Sequence, residues 1–282
     1  MRILHAFFKL VGFCPNSSFP EYLYKYRSWS DASHRRLLTH NEIYFAAAKE
    51  LNDPFEAIIP VRHDLLSKRQ KLKIIEKHIK IENPNAAKKE IRKRAEIILA
   101  EGHYRDPENL AETRRQKISR FGIFSVAEVE DNLLMWSHYA DSHKGFCVGF
   151  DVSGLKDYFQ GSPDHNMAIE LHRIKYYKRP PMINQYKVNP RHTEEAVVES
   201  IIMKSSDWAY EKEYRFIAFD DVNVPLRLDD GVIKKVILGC KIPQRDEAEI
   251  IQLLKSRSCK VELLKAIMKN GQSGLDITVV PY

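Results

Sequence analysis

Two spacings of apolar residues recur along the chain, and together they predict both strands and helices. Apolar residues at helical spacing favour helices at 30–40, 131–140, 193–204 and 243–256. Because strands and helices do not alternate one for one, we expect an α+β fold, with flanking helices on a mixed or antiparallel sheet core. Alternating apolar positions or short apolar runs predict strands at 23–27, 42–47, 121–126, 145–151, 168–176, 213–219, 232–238, 259–264 and 275–280.

Residues 62–119 differ from the rest, because they are rich in Lys, Arg and Glu around apolar residues at helical spacing. The sequence Asn83-Pro84-Asn85 separates two helices there, and a third is expected at 107–118. We interpret this segment as a helical insertion within a single domain that spans residues 1–282.

The net charge of +7 and the pI near 9.0 indicate a class of binding partner, because a basic protein surface attracts nucleic acid or other polyanions. Much of the excess lies in 62–119, so the alternative is a basic surface without a partner. The four cysteines form no CxxC pair, which favours free thiols and a cytoplasmic location. The apolar run at 1–14 is too short to span a bilayer and predicts a packed amphipathic helix.

The block LYKYRSW, residues 23–29, places aromatic and cationic groups on both faces of one strand. Tyr24, Lys25 and Arg27 are candidate binding residues, since a guanidinium suits phosphate. The block NDPFE at 52–56 follows the next strand, and Asp53 there could hold a ligand hydroxyl. The alternatives are a solvated edge strand and a simple Asx turn.

The block at 121–151, which contains LMWSHYADSHKGFCVGFD, is the richest in rings. Trp136 and Tyr139 are candidates for stacking on a planar ligand, and the block also contains His138 and His143, the residue type used most often for acid–base work near neutral pH. No carboxylate lies in register with the two histidines, so no metal site is predicted. Core packing is the alternative for Trp136.

The block SDWAYEKEYRFI, residues 206–217, leads into an apolar strand. If that strand begins near Glu211, then Glu211, Glu213 and Arg215 share one face because strand side chains alternate. An exposed ladder of ion pairs is the alternative. The chain has no GxGxxG, GxxxxGK[ST] or GxSxG motif, so a Rossmann, P-loop or α/β-hydrolase site is not expected.

Taken together, LYKYRSW, IYFAAAKELNDPFE, the LMWSHYADSHKGFCVGFD stretch and the later WAYEKEYRFI resemble a bacterial family catalogued as domain of unknown function 2971. The resemblance spans about residues 22–240 in pattern, and the helical insertion is its least characteristic part. The family name implies no activity.

The order of an LYxY strand, a helix, a strand that ends near an acidic turn and a late strand with Glu is also similar to ADP-ribosyltransferase folds. That resemblance implies NAD as substrate, a protein or nucleic acid as acceptor, and a toxin or phage-defence role. The family's usual His or Arg in the first strand is replaced by Lys25. The implied roles are catalysis by Glu213, Glu211 and His138, and cofactor binding by Tyr24, Lys25, Arg27, Asp53, Trp136 and Tyr139.

Two other classes remain open. A nucleic-acid-binding or nuclease-like defence protein would use the basic helices of 62–119, with metal held by Asp53, Glu56, Glu211 and Glu213 if they converge. A non-catalytic interaction module predicts that Glu213 and His138 are far apart or solvated.

Overall fold

The computed structural model describes residues 19–53, 56, 67–102, 116, 118–161, 169–179 and 193–282. Its helices are α1 (Ala32–Thr39), α2 (Lys68–Glu82), α3 (Lys88–Glu101), α4 (Leu133–Tyr139), α5 (Val152–Gly161), α6 (Thr193–Ile201) and α7 (Gln244–Lys255). Short 3-10 helices cover Ala48–Glu50 and Ser206–Glu211.

The strands are β1 (Tyr22–Arg27), β2 (Glu42–Ala47), β3 (Phe121–Ala127), β4 (Phe146–Asp151), β5 (Ile169–Arg173), β6 (Lys175–Tyr177), β7 (Met203–Ser205), β8 (Glu213–Phe219), β9 (Val224–Arg227), β10 (Ile233–Leu238), β11 (Glu262–Met268) and β12 (Leu275–Val279). The α+β prediction is therefore confirmed. Helix α5 and strands β7 and β9 were not predicted, and the predicted helices at 1–14 and 107–118 lie largely outside the described residues.

Ten of the strands form one mixed, mostly antiparallel sheet. Its main path runs β12-β11-β10-β4-β1-β3-β2-β9, and β8 and then β5 branch from β3. Strands β10 and β11 are parallel and are joined through α7, whereas the remaining pairs in this sheet are antiparallel. Strands β6 and β7 form a separate parallel pair.

The sheet splits at β3, and this split positions the site. On one side β3 pairs with β8 along its whole length. On the other side β3 meets β1 only at Ala127, opposite Tyr24, and meets β2 only at Gly122 and Ile123. Among the described residues, the middle of β3 therefore has no strand partner on that side, and β1 and β2 diverge around a gap.

Apolar clusters cover both faces of the sheet. The largest contains Leu23, Phe45, Phe124 and Phe150 and receives Ile250 from α7. A second cluster lies on the opposite face, where α4 packs on β1 and β4; its members include Tyr24, Tyr26, Met135, Trp136 and Cys147. Burial of these side chains, each contributing about 1.5–3 kcal/mol, stabilises β1 at the edge of the split.

Helices α2 and α3 pack against each other as a hairpin with its own small core. Leu72, Ile75 and Ile79 of α2 meet Ile91 and Ala95 of α3. A capping box at Ser67 and Gln70 begins α2. The predicted break at Asn83-Pro84-Asn85 falls between the two helices.

Candidate functional site

A cavity of about 220 Å³ lies in the split between β1 and β2. Strand β3 forms its floor, and α4 and the 3-10 helix that precedes β8 close its sides. Ionisable side chains and tyrosines dominate its polar lining, which consists of Tyr24, Lys25, Tyr26, Arg27, Tyr44, Glu50, Asn52, Ser125, Tyr139, Lys204, Glu211, Glu213 and Arg215.

A change of backbone conformation brings two glutamates into this cavity. The 3-10 helix ends at Glu211, Lys212 adopts a left-handed conformation with φ 43°, and β8 begins at Glu213. The strand therefore begins at Glu213, as the 213–219 prediction has it, and not at Glu211, yet Glu211, Glu213 and Arg215 still face the same cavity. All three are buried, so they do not form an exposed ion-pair ladder.

Arg215 is fully buried and binds two carboxylates, of which that of Glu213 lines the cavity. Its Nε donates to Glu213 Oε1 at 2.7 Å, and its Nη2 donates to Glu213 Oε2 at 2.9 Å. The same Nη2 also donates to Glu56. Nη1 donates to the carbonyl of Ile201. The guanidinium thus makes the forked contacts that suit it to carboxylates.

Lys204, from β7, joins the same cluster from the other side. Its Nζ lies 2.8 Å from Glu56 Oε1, 2.5 Å from Glu211 Oε2 and 3.1 Å from Glu213 Oε2. The cluster therefore brings three carboxylates to two cations. Because a buried charge needs a partner, each of these ions depends on the others in the cluster.

Glu211 and Glu213 have pKa values shifted in opposite directions. Burial alone would raise the pKa of Glu213, but Arg215 and Lys204 outweigh it and hold that pKa at about 2. Burial raises the pKa of Glu211, and Lys204 opposes this rise only in part. Pairs of carboxylates whose environments separate their pKa values are typical of sites that divide acid–base work from charge stabilisation.

Tyr139 connects Glu211 to the mouth of the cavity. Its hydroxyl donates to Glu211 Oε1 at 2.6 Å and accepts from Asn52 Nδ2 at 2.5 Å. Burial and the bond to Glu211 raise the pKa of Tyr139, so the phenol remains protonated as the donor. The Tyr139 ring itself lines the cavity.

Lys25 and Arg27 form the opposite, cationic wall. Lys25 Nζ crosses the split and donates to the Ser125 carbonyl at 2.5 Å. Burial and the neighbouring Arg27 lower the pKa of Lys25, and burial lowers that of Arg27 to about 10. Within the described part of the chain, Arg27 makes no ion pair or side-chain hydrogen bond, so its guanidinium is available to an anion.

A second cavity, of about 540 Å³, adjoins the first. The two share Lys25, Arg27 and Tyr44 in their lining. The second cavity adds Ser33 and His34 from α1. Burial, reinforced by Arg27, lowers the pKa of His34 to about 4, so this imidazole is neutral at pH 7. The cationic residues thus lie where the two spaces meet.

A strained turn fixes the end of β1 at Arg27. Asp141, Ser142 and His143 all have positive φ, a costly conformation for side chains other than glycine. Gly145 follows this turn so closely that a Cβ there would lie 2.1 Å from the Arg27 carbonyl. Only glycine therefore permits this approach.

Six of the predicted site residues line the first cavity, namely Tyr24, Lys25, Arg27, Tyr139, Glu211 and Glu213. The other three lie elsewhere. Trp136 is fully buried on the core side of α4, where its indole N–H donates to the Glu130 carbonyl at 2.8 Å. His138 is exposed and does not line the cavity, and Asp53 is buried next to Asn52 without lining it.

Lys204 is the important residue that the sequence reasoning missed. It lies between Met203 and Ser205, shortly after α6, in a strand of only three residues. A lone lysine that follows Ile-Ile-Met was the one signal available, because a cation in an apolar run needs a buried partner. Glu56 was named only as a metal ligand for the nuclease alternative.

The carboxylates of that alternative do converge in part, since Glu56, Glu211 and Glu213 surround one point. Lys204 Nζ occupies that point and competes with any metal cation for the same oxygens. Among the described residues, no group of three or more His, Cys, Asp or Glu side chains is placed to hold a metal ion. No described helix is long and apolar enough to cross a membrane.

Comparison with known proteins identifies the region that carries this site. The family model described as "Protein of unknown function (DUF2971)" matches residues 135–216. This bears out the resemblance predicted from the motifs within that stretch, which contains most of α4 together with Lys204, Glu211 and Glu213. No curated protein and no solved structure matches the chain. The likeness to ADP-ribosyltransferases stays a prediction.

Proposed function

We propose that the protein transfers ADP-ribose from NAD to an acceptor, with Glu211 and Glu213 at the reacting centre. The observation that supports this most is the pairing of these carboxylates in a cavity whose opposite wall is cationic. Such a cavity offers anions where positive charge develops and cations where phosphates bind.

The shape of the site suits a dinucleotide with its charge in the middle. Two cavities of about 220 and 540 Å³ meet at Lys25 and Arg27, which would contact the pyrophosphate. The nicotinamide ribose would then lie toward Glu213, with the nicotinamide ring against Tyr139. The adenosine half would occupy the second cavity, beside α1.

The reaction assigns different work to the two carboxylates. The bond between ribose C1′ and the nicotinamide nitrogen breaks, and nicotinamide leaves with the bonding electron pair. The Glu213 carboxylate, which stays ionised, stabilises the oxocarbenium-like ribosyl group. The acceptor's nucleophile attacks C1′ and gives its proton to Glu211, whose raised pKa makes it the stronger base.

The test is nicotinamide release from NAD by the purified full-length chain, with and without nucleic acid or cell lysate as acceptor. Glu211→Gln should lower turnover at least a hundredfold, within the range that general base catalysis contributes. Glu199→Gln, an exposed glutamate on α6, is the matched control and should retain full activity. Urea unfolding of both variants separates lost chemistry from lost structure.

Binding is measured separately by calorimetry with ADP, which contains the pyrophosphate but no scissile bond. Arg27→Met should weaken ADP binding about tenfold or more, because a charge-assisted contact to phosphate is lost. If the wild type neither binds ADP nor releases nicotinamide with any acceptor, the proposal fails.

A non-catalytic interaction module is the second candidate, and the placement of His138 favours it. His138 is exposed and lies outside the cavity, whereas Glu213 is buried inside it. On this alternative the ion cluster only supports the fold. Glu211→Gln would then change stability without changing any turnover, so the same assay separates the two.

A further inference from the structure

A third space in the molecule, distinct from the two cavities of the site, is a groove of about 970 Å³ near the start of β1. It lies between the end of α7, the beginnings of β10 and β11, and the residues that follow β12. Its charge is strongly biased, because Glu262 is the one acidic side chain among the described residues that line it. The basic lining residues are Lys234, Lys235, Lys255, Arg257 and Lys260.

The lysines of this basic groove point to an anionic partner from outside. Lys234, Lys255 and Lys260 are exposed, and among the described residues none of them has a carboxylate within ion-pair distance. Arg92 of the helical hairpin, by contrast, pairs with Glu76. Like charges held close together repel one another, and a polyanion would relieve that repulsion.

Arg257 fixes one wall of the groove. Its Nη1 donates to the Leu38 carbonyl at 3.1 Å, while its Nε is buried without a hydrogen-bond partner in the described part of the chain. The side chain is thus held in one orientation by the core, although burial lowers its pKa. A cation that is positioned in advance loses little conformational entropy when it contacts a phosphate.

Two tyrosine rings accompany these charges. Tyr22 packs under Lys235, whose Nζ lies 4.2 Å from the ring centroid. Tyr282 is exposed, and its hydroxyl donates to the Val261 carbonyl at 2.6 Å, which holds the ring at the groove. A cationic groove with aromatic rings suits a strand of nucleotides, since lysines contact phosphates and rings stack on bases.

We propose that this basic groove binds single-stranded nucleic acid. The assignment places nucleic-acid binding here instead of on the basic helices α2 and α3. It does not depend on the proposed transferase activity, because binding is measured without NAD.

The experiment is fluorescence anisotropy of the full-length chain with labelled twelve-residue oligo(dT) and oligo(U) at several salt concentrations. Affinity should fall with salt, with a slope of about −0.7 in log–log form for each phosphate contacted. The double substitution Lys234→Gln and Lys260→Gln should weaken binding at least tenfold and reduce that slope. Tyr282→Leu should weaken binding about tenfold with an unchanged slope, because stacking involves no counterion release.

The matched control is Lys73→Gln with Lys77→Gln, which removes the same charge from exposed positions on α2. It should leave binding unchanged. The proposal is overturned if the α2 variant loses binding while the groove variant keeps it, or if neither oligonucleotide binds at low salt. Displacement of the oligonucleotide by poly-glutamate at equal charge concentration would also overturn it, since charge alone would then be recognised.

Discussion

Two regions of this protein are rich in charged side chains, but they use them in opposite ways. In the helical hairpin of α2 and α3, Arg92 pairs with Glu76 and Glu96 at 2.8 Å, and its side chain remains 47% exposed. In the cavity, Arg215 is 0% exposed and contacts Glu56 and Glu213. The hairpin has its own apolar core, whereas the cavity cluster ties the loop after β2 to β7 and β8.

The difference shows that the position of a charge matters more than the local density of charges. Water solvates the hairpin's ions in both the folded and the unfolded state, so its pairs gain little from folding. The cavity's ions have lost water and depend on one another, so each is costly to remove. Because the ions of the cavity cluster depend on one another, removing any one of them should also displace the carboxylates that the others hold in place.

The largest effect is expected from Arg215→Met. Removing the guanidinium leaves Glu56 and Glu213 buried beside Lys204 alone, and loss of one partner from a buried ion pair costs about 3–5 kcal/mol. Urea unfolding at pH 7 measures this as a lower midpoint. Arg245→Met, which removes a side chain 84% exposed from a surface pair, is the control and should change stability by less than about 1 kcal/mol. Equal losses in the two variants would contradict the comparison.

A smaller effect, due to packing instead of charge, is expected from Gly145→Ala. The added Cβ would lie 2.1 Å from the Arg27 carbonyl, so β1 must shift, and overpacking of this kind costs about 1–3 kcal/mol. Thermal unfolding and ADP affinity should both decrease. Gly231→Ala, where a Cβ meets nothing within 4 Å, is the matched control. If Gly145→Ala lowers neither quantity, β1 is not fixed by this contact.

The sequence predicted the elements of this fold well and the cavity only in part. Alternation placed β2 and β8 at their observed bounds. Periodicity records which face a residue occupies within its own element. For that reason the alternation of side chains predicted that Glu211 and Glu213, which are only two residues apart, lie on the same face.

What periodicity does not record is which distant elements meet. The split between β1 and β2 follows from the pairing of each strand with β3, and Lys204 reaches the glutamates through a separate strand pair. Trp136 resembled a stacking residue because local sequence cannot tell the core side of α4 from its cavity side. The basic groove was invisible for the same reason, since its lysines come from separate elements.

The loss of folding stability at low pH should come from the cavity cluster and not from the helical hairpin. Glu213 has a pKa of about 2 in the fold against 4.5 unfolded, so its contribution is complete above the unfolded value. That contribution is lost as the pH falls from about 4.5 toward 2. Urea midpoints between pH 7 and pH 2.5 should fall less steeply in Glu213→Gln than in the wild type. The urea midpoints of Glu76→Gln should depend on pH as those of the wild type do. A weaker pH dependence in that variant would mean that the hairpin's ion pairs cause the loss of stability at low pH.

The smallest effect is expected from Arg92→Met in the hairpin, although this side chain contacts two glutamates. Its pairs are exposed and screened by salt, so their loss should cost about 0–1 kcal/mol at low ionic strength and less at high salt. Urea unfolding in roughly 20 mM and roughly 1 M sodium chloride measures the loss of stability at low and at high salt. Between these concentrations the screening length falls from above 10 Å to about 3 Å. A loss as large as that of Arg215→Met, or one that salt does not reduce, would mean that the hairpin's ions are also desolvated. The comparison of the two regions would then be wrong, because solvent exposure would no longer distinguish ion pairs that stabilise the fold from ion pairs that contribute little.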